Sequence, residues 1–541
     1  MNINKVHIEN FKIFKNFDLI LNKGVNILVG NNEAGKSTII EAMHLALTGL
    51  YNGKYLKNEL TQYIFNNEVV NEYIESLKTE NTMSLPHILI EIWISGDDID
   101  ETFWGDKNTQ KDTDGRGFYL KIAFDEEKYQ AEYEELIKLG DIKTLPIEYY
   151  NVLWSSFARD ENITTKTIPI KSALIDSTSN KSQNGSDIYI SRIVKNFLED
   201  EEIIKVSQAH RQMKDTFMDN PAITTINEKI QNATKISNKK VELSVELSSK
   251  NAWENSLITC IDNIPFHNIG KGEQCVIKTK LALGNKKTEK ADIILFEEPE
   301  NHLSHTKLNQ LISDISNNNK QFLISTHSSF IANKLGLENL ILLNNKQTIR
   351  LNDLSKFTFN FFKKLAGYNT LRLILCKKAI LVEGDSDELI VQKAYKVKNE
   401  KLPIEDGIDV ISVGTSFLRF LEIAEKIKKQ VAVVTDNDGN LDKVIKKYET
   451  YKDSNFIKIF VDVRNELNTL EPQIIDANNE NLAVLYEIFE IDKIKYDTSD
   501  KISKCMQQKY NKTNVALAIF NTDKQINFPD YINRVIGWCN E

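Results

Sequence analysis

Cysteine is scarce and scattered: Cys260, Cys275, Cys376, Cys505 and Cys539 stand far apart, with no C-x-x-C pair among them. An odd number without close spacing argues against a disulfide framework, a zinc ribbon or a dithiol redox site, and is read as reduced, structural thiols. Long apolar runs are lacking too. No stretch of about 18 apolar residues occurs, and the opening MNINKVHIENFKIF has no apolar h-region or small-residue cleavage site, so the expectation is a cytoplasmic protein with no membrane span. Positive charge is not in excess: 68 Lys and Arg against 77 Asp and Glu leave −9. That balance argues against a protein coating nucleic acid by charge alone, though it permits a local basic groove. Tandem repeats and low-complexity tracts are also missing from the sequence.

What is present suits packed cores. Hydrophobic residues make up 41% of the chain, with 25 Phe and 18 Tyr, and 541 residues exceed what one core can organise. Two to four domains are therefore expected. The first residues read strand, strand, glycine loop, helix: VHIENFKIF, FDLIL, GVNILVG, then a helix from Ser37 to about Leu47. Further strand-like runs follow at HILIEIWIS, GFYLKIAF and IEYYNVLW, separated by charged segments. The boundaries are drawn as 1–159 for the first part of an N-terminal head and 160–257 for an inserted helical arm. The arm is favoured as a dimerisation surface, with a solvated helical insert as the alternative. Residues 258–368 form the second part of the head, and 369–541 a separate α/β unit in which AILVEG, IDVISV, VAVVTD and IKIFVD alternate with helices. Strands alternating with helices indicate parallel sheets.

Gly30-Asn31-Asn32-Glu33-Ala34-Gly35-Lys36-Ser37 fits G-x-x-x-x-G-K-[ST] between an apolar strand and a helix, and Thr38 follows it. The glycines let backbone N–H groups curl around phosphates, Lys36 reaches the β and γ phosphates, and Ser37 suits Mg²⁺. Far along the chain, the strand Ile293 to Phe296 ends in Glu297 and Glu298. Glu297 takes the place of a Mg²⁺-holding acid, and Glu298 is the candidate base beside the γ-phosphate of ATP. The strand QFLIST then delivers His327 as a candidate switch residue, and Gly270-Lys271-Gly272-Glu273-Gln274 opens a helix. In this order the four elements resemble ABC ATPases of the structural-maintenance and recombination-repair kind. The resemblance implies that Gly270 and Gly272 of one copy complete the ATP site of another, hence a homodimer or a higher homo-oligomer such as a tetramer.

In the last third, Glu383 ends one strand, Asp387 opens the following helix, and Asp436 and Asp438 end a later strand. Ligands in open parallel sheets bind beyond the carboxyl ends of strands, so these acids should share one edge. Two carboxylates roughly 4 Å apart repel by about 4 kcal/mol at an effective dielectric near 20. Such a cluster shifts its pKa values or binds a cation, and its oxygen donors favour Mg²⁺ or Mn²⁺ over zinc. Asp385 and Glu388 are read as a helix cap and a solvated helix acid.

A strand ending in Glu-Gly, then one ending in Asp-x-Asp, resembles the Toprim fold. Leu371-Arg372 leading into AILVEGDSDELI, then VAVVTDNDG and Thr469-Leu470-Glu471-Pro472, make the chain similar to the OLD (overcoming lysogenization defect) nucleases. These include the ATPase-nuclease subunit of the Gabija system and retron-associated effectors. The resemblance covers nearly the entire chain except the inserted helical arm, and implies an α/β chain with an ABC-type ATPase head and a Rossmann-like Toprim sheet. It also implies two divalent ions, one at Glu383 and Asp387 and one at Asp436 and Asp438, with Glu471 as a supporting ligand and Lys512 assisting cleavage. The activity implied is ATP-controlled DNA endonuclease or nickase action in anti-phage defence, with a helicase-like subunit or a reverse transcriptase as possible partner. The alternative is a recombination-type ATPase scaffold that binds DNA through a non-cleaving Toprim domain. Topoisomerase and primase chemistry rank below both, for want of a domain to carry them.

Overall fold

The computed structural model describes all residues except 53, 80–82, 111–113, 141, 162, 177–181, 184–185, 188–197, 234–242, 244–259, 284–290, 302, 318, 345, 351–353, 366–367 and 510–511. By internal contacts the chain forms two compact units. One comprises Met1–Val29, Gly35–Ile331 and Lys346–Thr348, and the other Gly30–Ala34, Ala332–Asn345 and Ile349–Glu541.

The first unit holds two sheets. Strand β1 (Asn2–Phe11) is buried at Val6 to Ile8, Asn10 and Phe11, while its antiparallel partner β2 (Phe14–Ile20) alternates exposed and buried residues from Asn16 on, as a strand with one covered face should. Next come β3 (Val25–Gly30) and α1 (Lys36–Thr48), whose inner residues from Ile39 to Leu47 are mostly buried. Strands β4 (Ile88–Ser95), β5 (Gly115–Phe124) and β6 (Tyr150–Ser156) complete the antiparallel sheet in the order β2-β1-β4-β5-β6. The charged segment after β5, expected only to separate strands, is helix α2 (Glu126–Leu139).

The second sheet takes β3 and runs parallel in the order β7-β8-β9-β3, with β7 (Ser172–Asp176), β8 (Ile293–Glu297) and β9 (Gln321–Ser325). Ile293 to Phe296 and Phe322 to Ile324 are buried without alternation, the mark of parallel strands covered on both faces. Between β7 and β8 lie α3 (Asp200–Met218), α4 (Pro221–Ala233) and α5 (Lys271–Leu283); α6 (His305–Ser316) joins β8 to β9. The helical run expected from Ile190 is described from Asp200, while most of VELSVEL lies outside the described residues. One buried side chain stitches the two sheets. The Gln321 amide accepts from the Ile3 backbone N–H at 2.8 Å and donates to the carbonyls of Ile3 and Asn22, each at 2.7 Å.

The second unit is built on a parallel sheet in the order β11-β10-β12-β13: β10 (Lys378–Val382), β11 (Ile408–Ser412), β12 (Gln430–Val434) and β13 (Ile457–Phe460). Helix α7 (Tyr368–Leu375) precedes it, and the crossovers are α8 (Asp385–Asn399) and α9 (Phe417–Lys426). The C-terminal helices include α10 (Leu470–Ala477), α11 (Lys512–Asn521) and α12 (Asp530–Cys539). Ile380, Val382, Val391, Ile519, Ile532 and Ile536 belong to one continuous core beneath them. Because every pairing is parallel, the carboxyl ends of β10 and β12 share an edge. Among the described residues no helix is long and apolar enough to cross a membrane.

Gln321→Ala should lower the stability of the first unit by about 1–3 kcal/mol, since it removes the buried side chain that pairs with the Ile3 N–H and carbonyl, the Asn22 carbonyl keeping its bond from Asn26 Nδ2. Chemical denaturation followed by tryptophan fluorescence, Trp93 and Trp154 lying in this unit, checks it.

Candidate active site

Glu383 follows β10 directly, and Asp436 lies two residues past β12. With Asp387, Asp438 and Glu471 they line one cavity of about 350 Å³, whose lining also includes Gly414, Ile474, Val515 and Ala516. All five acids expected from the sequence are thus brought together. Glu383 and Asp438 are exposed, Asp387 and Asp436 half-buried, and Glu471 only 3% exposed. The Glu471 Oε2 atom is buried with no hydrogen-bond partner. Leaving a carboxylate oxygen unpaired in the interior is costly, so this atom calls for a partner of opposite charge. A divalent cation fits the oxygen-only donor set. Among the described residues, however, no three His, Cys, Asp or Glu side chains stand close enough to grip one ion by themselves. Lys512 opens α11, one turn before the cavity-lining Val515 and Ala516.

The helix-start acids divide differently from expectation. Asp387 Oδ2 accepts from the Gly384 N–H at 2.9 Å, so Asp387 rather than Asp385 caps the start of α8. Glu388 is not a solvated acid. It pairs with Arg372 of α7 at 3.1 Å, and Arg372 in turn grips Asp409 at 2.7 Å.

The phosphate-loop motif has the backbone its residue types require. Gly35 has φ +97°, and a Cβ there would lie 2.5 Å from the Phe14 ring. A Cβ on Gly30 would meet the Leu343 carbonyl oxygen at 2.8 Å. Asn31, Asn32, Glu33 and Ser37 are exposed, Ala34 half-buried, and Lys36 and Thr38 buried. Glu297 and Glu298 leave the end of β8 half-buried, and Glu298 Oε1 lies 3.7 Å from His327 Nε2. Asn301 Nδ2 donates to the other Glu298 oxygen at 2.7 Å. Burial pushes the Lys36 ammonium below its ordinary pKa, against the opposing charges of Glu298 and Glu300. Burial and the Lys36 charge likewise lower His327, with Glu298 and Glu300 opposing. Gly270 and Gly272 stand at the start of α5, where the buried Gln274 side chain folds back onto the carbonyls of Ile269 and His267 at 2.9 and 3.4 Å.

Residues 1–332 match the family model of the AAA ATPase domain, and 374–438 that of the Overcoming lysogenization defect protein-like TOPRIM domain. The chain belongs to the AAA ATPase domain family and is an OLD-family ATPase–Toprim protein. The DNA replication and repair protein RecF of two Vibrio cholerae serotype O1 strains is 28% identical over 95 residues, 18% of this chain and 25% of theirs. The chain therefore matches about a quarter of the length of these curated relatives. Among solved structures, the SMC head domain from Thermotoga maritima aligns over 64% of this chain and 97% of its own, at 12% identity and a TM-score of 0.29. The C-terminal region of the Xanthomonas campestris pv. campestris OLD protein aligns over 30% of this chain and 94% of its own, at 21% identity and a TM-score of 0.23.

Three groups around the sites of this OLD-family chain were not singled out from the sequence. Asn437, between Asp436 and Asp438, is buried and donates to the carbonyls of Arg464, Asp462 and Leu467 at 2.8, 3.0 and 3.4 Å. Its Oδ1 accepts from the Gly439 N–H at 2.8 Å, which fixes the loop bearing both acids. Tyr531 on α12 is buried behind them, donating to Gln473 Oε1 at 2.7 Å. Burial, then the charges of Asp436 and Asp387, push its phenol well above the ordinary value. Glu300 holds the backbone around His327. The sequence signal for Asn437 and Glu300 was their place inside the two acidic motifs; Tyr531 gave none.

Asn437→Ala should lower cation affinity of the cavity about 10- to 100-fold without removing a carboxylate, as loss of a ligand's supporting partner commonly does. Mn²⁺ titration by calorimetry measures it. His327 should titrate below its ordinary 6.5. The unfolded chain then takes up this proton first as pH falls, so stability from this group is intact above 6.5 and declines as pH drops toward the lowered folded value. Lys36→Met should raise the midpoint, read by NMR of the imidazole.

Proposed function

We propose that this chain is an ATP-regulated, divalent-cation-dependent DNA endonuclease or nickase acting in defence against phage. The observation that carries the reading is five carboxylates lining one cavity at the carboxyl edge of a parallel sheet, with the buried Glu471 Oε2 unpaired. Glu383 and Asp387 would hold one Mg²⁺ or Mn²⁺, Asp436 and Asp438 the other, with Glu471 in support. Mg²⁺ commonly takes one or two carboxylates and completes its shell with water and substrate phosphate oxygens, which suits acids spread around a cavity. Such ions, when bound, neutralise a scissile phosphate and ease deprotonation of the attacking water. Lys512 would add positive charge at the phosphate or protonate the leaving oxygen.

At the ATP site, residues Gly30 to Thr38 would cradle the phosphates, with Ser37 and Glu297 holding Mg²⁺. Glu298 would accept a proton from water, and His327 would sense the γ-phosphate. Gly270 and Gly272 would complete the site of another copy in a homodimer or a tetramer. Boundaries at 160, 258 and 369 belong to the same reading, with residues 160–257 as the dimerisation arm. Nucleotide state would then bias access of DNA to the Toprim cavity by favouring one arrangement of paired heads. A helicase-like subunit or a reverse transcriptase with its DNA would be the defence partner.

A second reading, an ATPase scaffold that binds DNA without cutting it, is favoured by one observation: no three described acids stand within reach of a single ion.

Incubation of supercoiled and linear DNA with Mg²⁺ or Mn²⁺, with and without ATP, separates the two. The proposal expects nicking by the wild type, loss of nicking with retained ATP hydrolysis in Asp438→Ala, and loss of ATP hydrolysis in Lys36→Ala. ATP hydrolysis without a strand break under every condition would favour the scaffold.

A further inference from the structure

Glu300 lies in the turn after β8, next to the half-buried pair Glu297 and Glu298. Its Oε1 accepts three hydrogen bonds from one short stretch past β9: Thr326 Oγ1 at 2.7 Å, the His327 N–H at 2.7 Å and the Ser328 N–H at 3.1 Å. Successive backbone N–H groups converging on one anionic oxygen form a nest, and hydrogen bonds to a charged acceptor are about twice as strong as neutral ones. The stretch is held from its other side too. Thr326 N–H donates to the Leu28 carbonyl of β3 at 3.2 Å, and the Ser328 N–H also donates to Thr326 Oγ1 at 2.9 Å. His327 is thereby fixed at its backbone while its ring reaches Glu298, 3.7 Å away.

We propose that Glu300 is a positioning residue for ATP hydrolysis, clamping Thr326 to Ser328 so that His327 stays against Glu298. The inference rests on the ATP-site reading above and adds a residue to it. The turn that carries the proposed base also grips the proposed switch, so the two keep register across the β8–β9 strand ends. A switch held only by its own loop would drift, and displacement of a reacting constellation by an ångström costs about 100-fold in rate.

The test is steady-state ATP hydrolysis by the full chain, with folding followed by thermal melting. Glu300→Ala is expected to lower kcat about 100-fold with KM for ATP little changed. Glu300→Gln keeps an acceptor oxygen in place and is expected to recover most of that loss. If the clamp works through His327, Glu300→Ala combined with His327→Ala is no slower than His327→Ala alone. Should Glu300→Ala fail to fold, Thr326→Val removes one of the three donors and enters the same cycle with His327→Ala, with the same non-additivity expected. Wild-type kcat in a folded Glu300→Ala, no rescue by Gln, or a double variant slowed by the full product of the single effects would each overturn the proposal. Lys36→Ala is run alongside. Hydrolysis lost in Lys36→Ala but indifferent to Glu300 sinks the clamp alone, whereas hydrolysis equal in wild type and Lys36→Ala sinks the ATP-site reading and the clamp with it.

Discussion

Repulsion among carboxylates at one rim of a parallel sheet is the constraint on which the second unit depends. The sheet brings the ends of β10 and β12 together whether or not the charges agree, and the surroundings then have to make the arrangement tolerable. Asp387 is met by the start of α8, where unpaired N–H groups and the helix dipole favour negative charge, and one of its oxygens binds the Gly384 N–H. Glu388 next to it is drawn away by Arg372, which also neutralises Asp409. Between Asp436 and Asp438 stands an uncharged amide, and behind them a phenol that burial keeps protonated. Glu388 and Asn437 thus add no unpaired charge to the rim, and among the described acids lining it Glu471 Oε2 is the one oxygen buried without a hydrogen bond.

The proposed ATP site balances its charges in a different way. A buried ammonium, Lys36, faces Glu298 and Glu300, and these opposing charges keep its loss of basicity in check. His327 feels Lys36 and both acids at once. The imidazole is therefore sensitive to whatever changes the field of Lys36, and a bound phosphate would be the strongest such change. The rim of the second unit gathers like charges, whereas the proposed ATP site sets a cation among acids, beside a loop shaped for phosphate.

The parts of the fold that follow from local chemistry were legible in the sequence. Parallel strands announce themselves as unbroken apolar runs, as in Ile293 to Phe296, and a strand–glycine–helix junction can be read at Gly30 to Lys36. From those, the rim that collects Glu383, Asp387, Asp436 and Asp438 follows by topology. What stayed hidden depends on residues far apart along the chain. Glu388 looked solvated because Arg372 and Asp409 reach it only through tertiary packing. Gln321 looked like an ordinary strand end, though its amide joins two sheets by way of Ile3. Helix α2 was missed because its glutamates and lysines hid a pattern weak in apolar residues, with Tyr129 and Tyr133 as its contacts to neighbouring aromatics.

Backbone conformation offers an independent argument for the side chains at these edges. Glu33, Glu298 and Asp438 all have positive φ, at 67°, 43° and 49°. Each lies within four residues of the end of a parallel strand, where the chain turns sharply. Non-glycine residues pay about 1–2 kcal/mol for that region, and glycine would make the same turn without strain. A fold that needed only the turn would be more stable with glycine there, as Gly35 and Gly439 are at φ 97° and 75° nearby. At Glu298 and Asp438 the strain is therefore borne for a carboxylate at that point of the chain, which is what the proposed base and the proposed cation ligand require.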